Sequence, residues 1–113
     1  YFAHWITPEE NALRFDTRFF AAPMPAGQAP IADDHEVIAV RWSTPREALD
    51  AFQRGEISLR LPTQTNLALL VDARSTAEAL DRLRDRTIAP IRPRLILDGG
   101  TRRALLPGDP GYW

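Results

Sequence analysis

The chain contains no cysteine and no lysine among its 113 residues. Without thiols there is no disulfide framework, no thiolate nucleophile and no cysteine-bound metal, and the redox compartment is left open. An excess of charge is missing too. Fourteen basic side chains against 15 acidic ones leave a formal net charge of −1, so no global basic field exists to gather nucleic acid. No apolar run approaches the ~20 residues that cross a bilayer, and no charged-then-apolar leader opens the chain. These absences point to a soluble, cytoplasmic protein with neither a nucleic-acid nor a membrane partner. All 14 basic residues are arginine, which, with abundant Ala and Pro, looks like the coding bias of a GC-rich bacterial genome.

What is present suits one globular domain. A hydrophobic fraction of 44% is ordinary, and a chain of this length buries on the order of two-thirds of its unfolded surface around one core. Phe2–Ile6 is rich in aromatic and branched residues, with Pro8 as a stop, and reads as a strand. Because Tyr1 and Phe2 already look like strand interior, the expectation is a C-terminal portion of a longer protein. Leu13–Ala21 is the next strand. It carries apolar residues on both faces, which predicts a place inside a sheet. Residues 22–32 have neither helical nor strand period and predict a surface loop, and Val37–Trp42 reads as a third strand.

Helix signals are sharper. Thr44-Pro45-Arg46-Glu47 combines a cap, a first-turn proline and a capping-box acid. The helix it opens should run to about Arg54 and stop at Gly55, with Leu49 and Phe52 inward. Pro62 and Thr63 predict a second helix, with Leu67, Leu70 and Val71 at helical spacing. Ser75-Thr76-Ala77-Glu78 repeats the capping pattern for a third, whose buried side is Leu80 and Leu83. Arg94–Leu97 and Arg103–Leu106 flank Asp98-Gly99-Gly100-Thr101, a hairpin signal. The fold class is mixed α/β (α+β).

Several of these segments together resemble the second half of a Nudix hydrolase domain, in the branch related to coenzyme A diphosphatases. They are the WITPE string Trp5–Glu9, RFDTRFF at Arg14–Phe20, the acidic turn Asp33–Glu36, the strand Val37–Trp42 and the TPREAL string Thr44–Leu49. LRLPTQTNLALL at residues 59–70 and LPGDPGY at residues 106–112 extend the match. The resemblance implies a Nudix-like mixed sheet with flanking helices, in which Phe2–Ile6, Arg14–Phe20 and Val37–Trp42 share a sheet. The family's metal-holding element, a Gly and a run of spaced Glu residues on one helix, is missing. The nearest string, Arg46-Glu47-Ala48-Leu49-Asp50-Ala51, loses the second acidic pair, and Ala32 and Ile38 stand where Gly and Glu are required. The implied cofactor, Mg²⁺ or Mn²⁺, would therefore be bound mainly by residues absent from this chain, and no metal ligand is assigned within it.

Arg14 and Arg18 lie four apart on one strand, so the period of two puts both on the same sheet face, where two guanidiniums can clamp a diphosphate. The competing reading pairs them with Asp16 or Glu10, or lays them over apolar neighbours. Asp33, Asp34, His35 and Glu36 are four potential metal or proton-transfer groups in a row, though adjacent residues point in different directions and a solvated turn entering a strand accounts for them more simply. The resemblance makes Asp34 and Glu36 the candidates for the carboxylate that polarises the attacking water. Trp5, Trp42 and Trp113 fit core or rim packing better than base stacking. His4 fits satisfied packing, and no Ser, His and Asp arrangement suggests a nucleophilic triad.

The resulting expectation is part of a metal-dependent hydrolase that cleaves a nucleoside diphosphate linked to another moiety. Coenzyme A or an acyl derivative is favoured, and ADP-ribose or a nucleotide sugar stays open. A homodimer is allowed. The rival readings are a non-catalytic Nudix-fold module serving as scaffold, dimerisation surface or ligand sensor, and an unrelated α/β binding domain.

Overall fold

A computed structural model describes all 113 residues, Tyr1–Trp113. The elements run β1 (Ala3–Ile6), β2 (Asp16–Phe19), α1 (Pro45–Gln53), α2 (Leu61–Ala68), α3 (Thr76–Arg84), β3 (Arg94–Asp98) and β4 (Thr101–Leu105). The class is mixed α/β, as the sequence indicates. The chain divides into two compact units, the first made of Tyr1–Ala21 with Leu83–Trp113 and the second of Ala22–Arg82. No helix is long and apolar enough to cross a membrane.

In the first unit β1 is the buried strand. Phe2, Ala3, His4 and Trp5 are all buried, Trp5 to 3% exposure. β1 pairs antiparallel with β2 in the register Ala3 to Phe19, His4 to Arg18, Trp5 to Thr17 and Ile6 to Asp16. Its other edge forms a parallel bridge between Trp5 and Ile91, closed by Ile6 N–H to the Ile91 carbonyl and Ile91 N–H to the His4 carbonyl, each 2.8 Å. Both rows of backbone groups on β1 are thereby engaged, which a buried strand requires. β3 and β4 form a separate antiparallel hairpin. It turns through Gly99 (φ 58°) and Gly100 (φ 84°), the paired positive φ values that a two-residue turn demands and glycine tolerates. Leu105 and Leu83 join Phe2, Ala3 and Trp5 as the buried apolar residues of this unit.

The second unit is helical. α1 starts where the sequence says it should: Thr44 Oγ1 accepts from Glu47 N–H at 3.1 Å and Glu47 Oε2 accepts from Thr44 N–H at 2.7 Å, with Pro45 in the first turn. It ends at Gly55, whose φ of 77° permits the left-handed stop. α1 packs on α2. Ala51 is the residue of α1 that loses all exposure, while Leu49 and Phe52, expected inward, are half-buried. Ser75 caps α3 by accepting from Glu78 N–H at 3.1 Å, but Glu78 reaches back to Arg74 N–H rather than to Ser75.

Two strand expectations are corrected. Val37–Trp42 forms no strand, and no sheet shared with β1 and β2 exists. An extended segment becomes a strand only when a neighbour takes its backbone groups, and none does here. Its apolar side chains are left in solvent, Ile38 at 79% and Trp42 at 70% exposure. β2 is not inside a sheet but at an edge, shorter than Leu13–Ala21, with Phe15 at 61% exposure. Apolar load on both faces marked that strand as sticky, which interior strands and open edges share.

The Glu47 carboxyl is held below its ordinary value of 4.5, first by the Thr44 backbone N–H and then by the Thr44 hydroxyl. A carboxyl lowered in the folded state contributes stability above its unfolded value and loses it as pH falls through the folded value. The thermal midpoint, followed by circular dichroism between about pH 3 and pH 7, should therefore drop below about pH 4.5. Glu47→Gln should flatten that drop while keeping the helix. Ala51→Leu should cost about 1–3 kcal/mol in urea unfolding, because Ala51 is fully buried and a larger side chain must displace its neighbours.

Candidate functional site

The side chains of the first unit converge around β1 and β2. Strand periodicity puts Asp16 and Arg18 on one face of β2, where register sets Arg18 opposite His4 and Asp16 opposite Ile6. His4 Nε2 lies 2.6 Å from Asp16 Oδ1, with the His4 side chain at 10% exposure. The imidazole is a satisfied packing group, as expected. Arg18 Nη1 sits 3.4 Å from the same Asp16 oxygen. That distance, between two groups more than half exposed, makes a loose surface pair worth little, so the Arg18 guanidinium is available to an anion. Arg14, two residues before β2, is exposed. Trp5 is core, whereas Trp42 and Trp113 are exposed.

A cleft of about 190 Å³ opens in the same unit, lined by Glu9, Glu10, Arg92, Pro93, Arg94 and Tyr112. Arg92 Nη1 donates to Glu9 Oε1 at 2.6 Å, Arg94 Nη1 to the Tyr112 carbonyl at 2.7 Å, and the Tyr112 hydroxyl to the Arg92 carbonyl at 2.9 Å. Sequence reasoning passed over this group. Its signal was the Arg-Pro-Arg alternation, which sets two guanidiniums on one side of an extended segment.

In the second unit the acidic turn divides its labour. Asp33 Oδ1 accepts from His35 N–H at 3.0 Å and Val37 N–H at 2.9 Å. These backbone donors, His35 first, hold the Asp33 carboxyl below its usual range. Asp33 therefore builds the turn. Asp34 N–H donates to the Val37 carbonyl at 3.0 Å, and Asp34 itself adopts φ 60°, a left-handed conformation that Asp tolerates better than most residues. The Asp34 and Glu36 side chains are exposed. Arg14 and Arg18 thus belong to one unit and Asp34 and Glu36 to the other.

Nowhere do three or more His, Asp or Glu side chains gather in a way that could hold a metal ion. A hard divalent cation wants several oxygen ligands, so the residues present do not fit a Mg²⁺ or Mn²⁺ centre.

Among curated proteins the chain is similar to acyl-coenzyme A diphosphatase NUDT19 of Homo sapiens, 29% identical over 113 residues that cover 96% of this chain and 30% of that protein. It is also similar to acyl-coenzyme A diphosphatase NUDT19 of Xenopus laevis, 33% identical over 72 residues covering 60% of this chain and 19% of the frog protein. The chain thus spans less than a third of the length of either relative. No family model matches, and no solved structure matches. The motif order from Trp5 to Tyr112 and these two likenesses agree: the sequence is similar to the coenzyme A diphosphatase-like branch of the Nudix hydrolases.

Proposed function

We propose that these residues are the substrate-contacting part of a metal-dependent hydrolase that cleaves a nucleoside diphosphate linked to another moiety. Coenzyme A or an acyl-coenzyme A is the favoured substrate, ahead of ADP-ribose or a nucleotide sugar. The observation that carries the reading is similarity to an acyl-coenzyme A diphosphatase over 96% of the chain. In this reading the Mg²⁺ or Mn²⁺ is held mainly by residues outside this chain, in a cytoplasmic setting.

The roles follow from charge and reach. A diphosphate carries at least two negative charges, and Arg14 and Arg18 offer planar donor forks on one strand face, suited to bidentate contact with phosphate oxygens. Water attacks phosphorus, the phosphoanhydride bond breaks, and the proton of the water passes to a carboxylate, for which Asp34 and Glu36 are the candidates. Asp33 is less suited to that role because two backbone donors already occupy its Oδ1 and hold it in the turn. These 113 residues alone have no metal-holding cluster, and by themselves they are expected to turn over nothing.

The intact protein should release a phosphorylated fragment from coenzyme A only when Mn²⁺ or Mg²⁺ is supplied, with simple phosphomonoesters untouched. Metal-independent turnover would refute the mechanism. Arg18→Ala should lower kcat/KM by at least about tenfold, with the thermal midpoint nearly unchanged because its pair with Asp16 is exposed and loose. A collapse of folding instead would show that Arg18 is structural. Of Asp34→Asn and Glu36→Gln, the one that removes the base should lower kcat by about 10²–10⁴, and two silent variants would remove the acidic turn from the chemistry.

A further inference from the structure

The free edge of β2 is a self-complementary template, and we propose that two copies of this chain associate there by antiparallel strand pairing about a two-fold axis through Thr17.

Backbone geometry fixes which groups face outward. Along a strand, successive residues present their N–H and C=O to opposite edges. His4 and Ile6 direct theirs to Ile91, and Thr7 N–H meets the Phe15 carbonyl at 2.9 Å. Ala3, Trp5 and Thr7 therefore face β2, and their partners Phe15, Thr17 and Phe19 face β1. The groups left on the open edge belong to Asp16 and Arg18. β2 has no second neighbour in its sheet.

Pairing this edge with itself about Thr17 sets Asp16 directly opposite Arg18 of the second copy, twice. Those are the two residues with free outward backbone groups, so each such pair exchanges both of its N–H to C=O bonds, four bonds in all. Thr17 meets Thr17 of the second copy in the closer, non-hydrogen-bonded position. One residue further out, on the opposite face, Phe15 at 61% exposure meets Phe19 of the second copy. At the ends of the register Arg14 lies against Phe20, itself 71% exposed.

Every cross-strand pair is therefore favourable: opposite charges, aromatic on aromatic, guanidinium on ring. Charges on an edge strand usually prevent pairing. Here their order, acid before base around a central residue, makes the edge fit a copy of itself, which an isologous two-fold interface requires. A slip of two residues, which keeps the same outward backbone groups paired, would set Asp16 opposite Asp16 or Arg18 opposite Arg18, so the charges also select the register. The patch is small, and the dimer should be weak and reversible, with a dissociation constant between about 1 µM and 1 mM. Arg18 has five donors, so a partner carboxylate does not exhaust it for a diphosphate. Association is read without turnover, so its outcome is independent of the proposed hydrolysis.

The chain contains no cysteine, which gives a clean reporter. Thr17→Cys should form an intermolecular disulfide under mild oxidation at least about tenfold faster than Thr101→Cys, because only a residue on the axis meets its own copy within disulfide reach. Sedimentation equilibrium supplies the second arm. Asp16→Arg and Arg18→Asp should each weaken self-association by at least about tenfold, and an equal mixture of the two should associate again as a heterodimer. Circular dichroism of each variant establishes that it is folded. A wild-type chain that stays monomeric up to about 1 mM, equal cross-linking at Thr17 and Thr101, or folded single variants whose mixture fails to associate would each overturn the proposal.

Discussion

The double engagement of β1 is the constraint on which the first unit rests. Four residues near one end of the chain are held on one side by β2 and on the other by Ile91. Trp5 sits at the centre of both contacts. Closing that long loop costs conformational entropy, although the cost grows only slowly with length. Burial of Phe2, Ala3 and Trp5 offsets it. His4 can be buried beside them because Asp16 accepts its ring nitrogen, so the polar contact and the strand register support each other. The second unit is less deeply packed, with Ala51 and Asn66 its buried residues, and its helices rely more on local caps.

This contrast explains what could be read from the sequence. The boundaries of α1 were legible because Thr44, Pro45, Glu47 and Gly55 act within a few residues of themselves. The β3–β4 hairpin was legible for the same reason, through Gly99 and Gly100. Strands answer to distant partners. Val37–Trp42 has the branched, apolar composition of a strand but lacks a neighbour, and the apolar faces of Arg14–Phe20 could not say whether the strand was interior or edge. The parallel bridge from Trp5 to Ile91 left no mark in either segment.

The candidate site was legible to the same degree. That Arg14 and Arg18 share a face is an expectation from the period of two; in the structure Arg18 lies on β2 and Arg14 just before it. The division of labour in the acidic turn was hidden, since nothing in the string Asp33-Asp34-His35-Glu36 says which carboxylate the backbone will claim. The cleft beside Arg92, Arg94 and Tyr112 depended on contacts between segments remote in sequence, Glu9 with Arg92 and Tyr112 with both arginines. The likeness to known diphosphatases rests on motif order and sequence similarity, and the three-stranded sheet that the resemblance implied is absent from the structure.

The left-handed backbone at Asp34 decides which substitutions the turn accepts. A side chain bearing a Cβ stores about 1 kcal/mol of torsional strain there, which glycine would release and asparagine would bear with least change. Replacing Asp34 with glycine would thus relax the turn's backbone without touching the Asp33 hydrogen bonds that build it. Substitution by Gly or Asn is therefore the change that this turn absorbs most readily, and a β-branched residue the one it resists most.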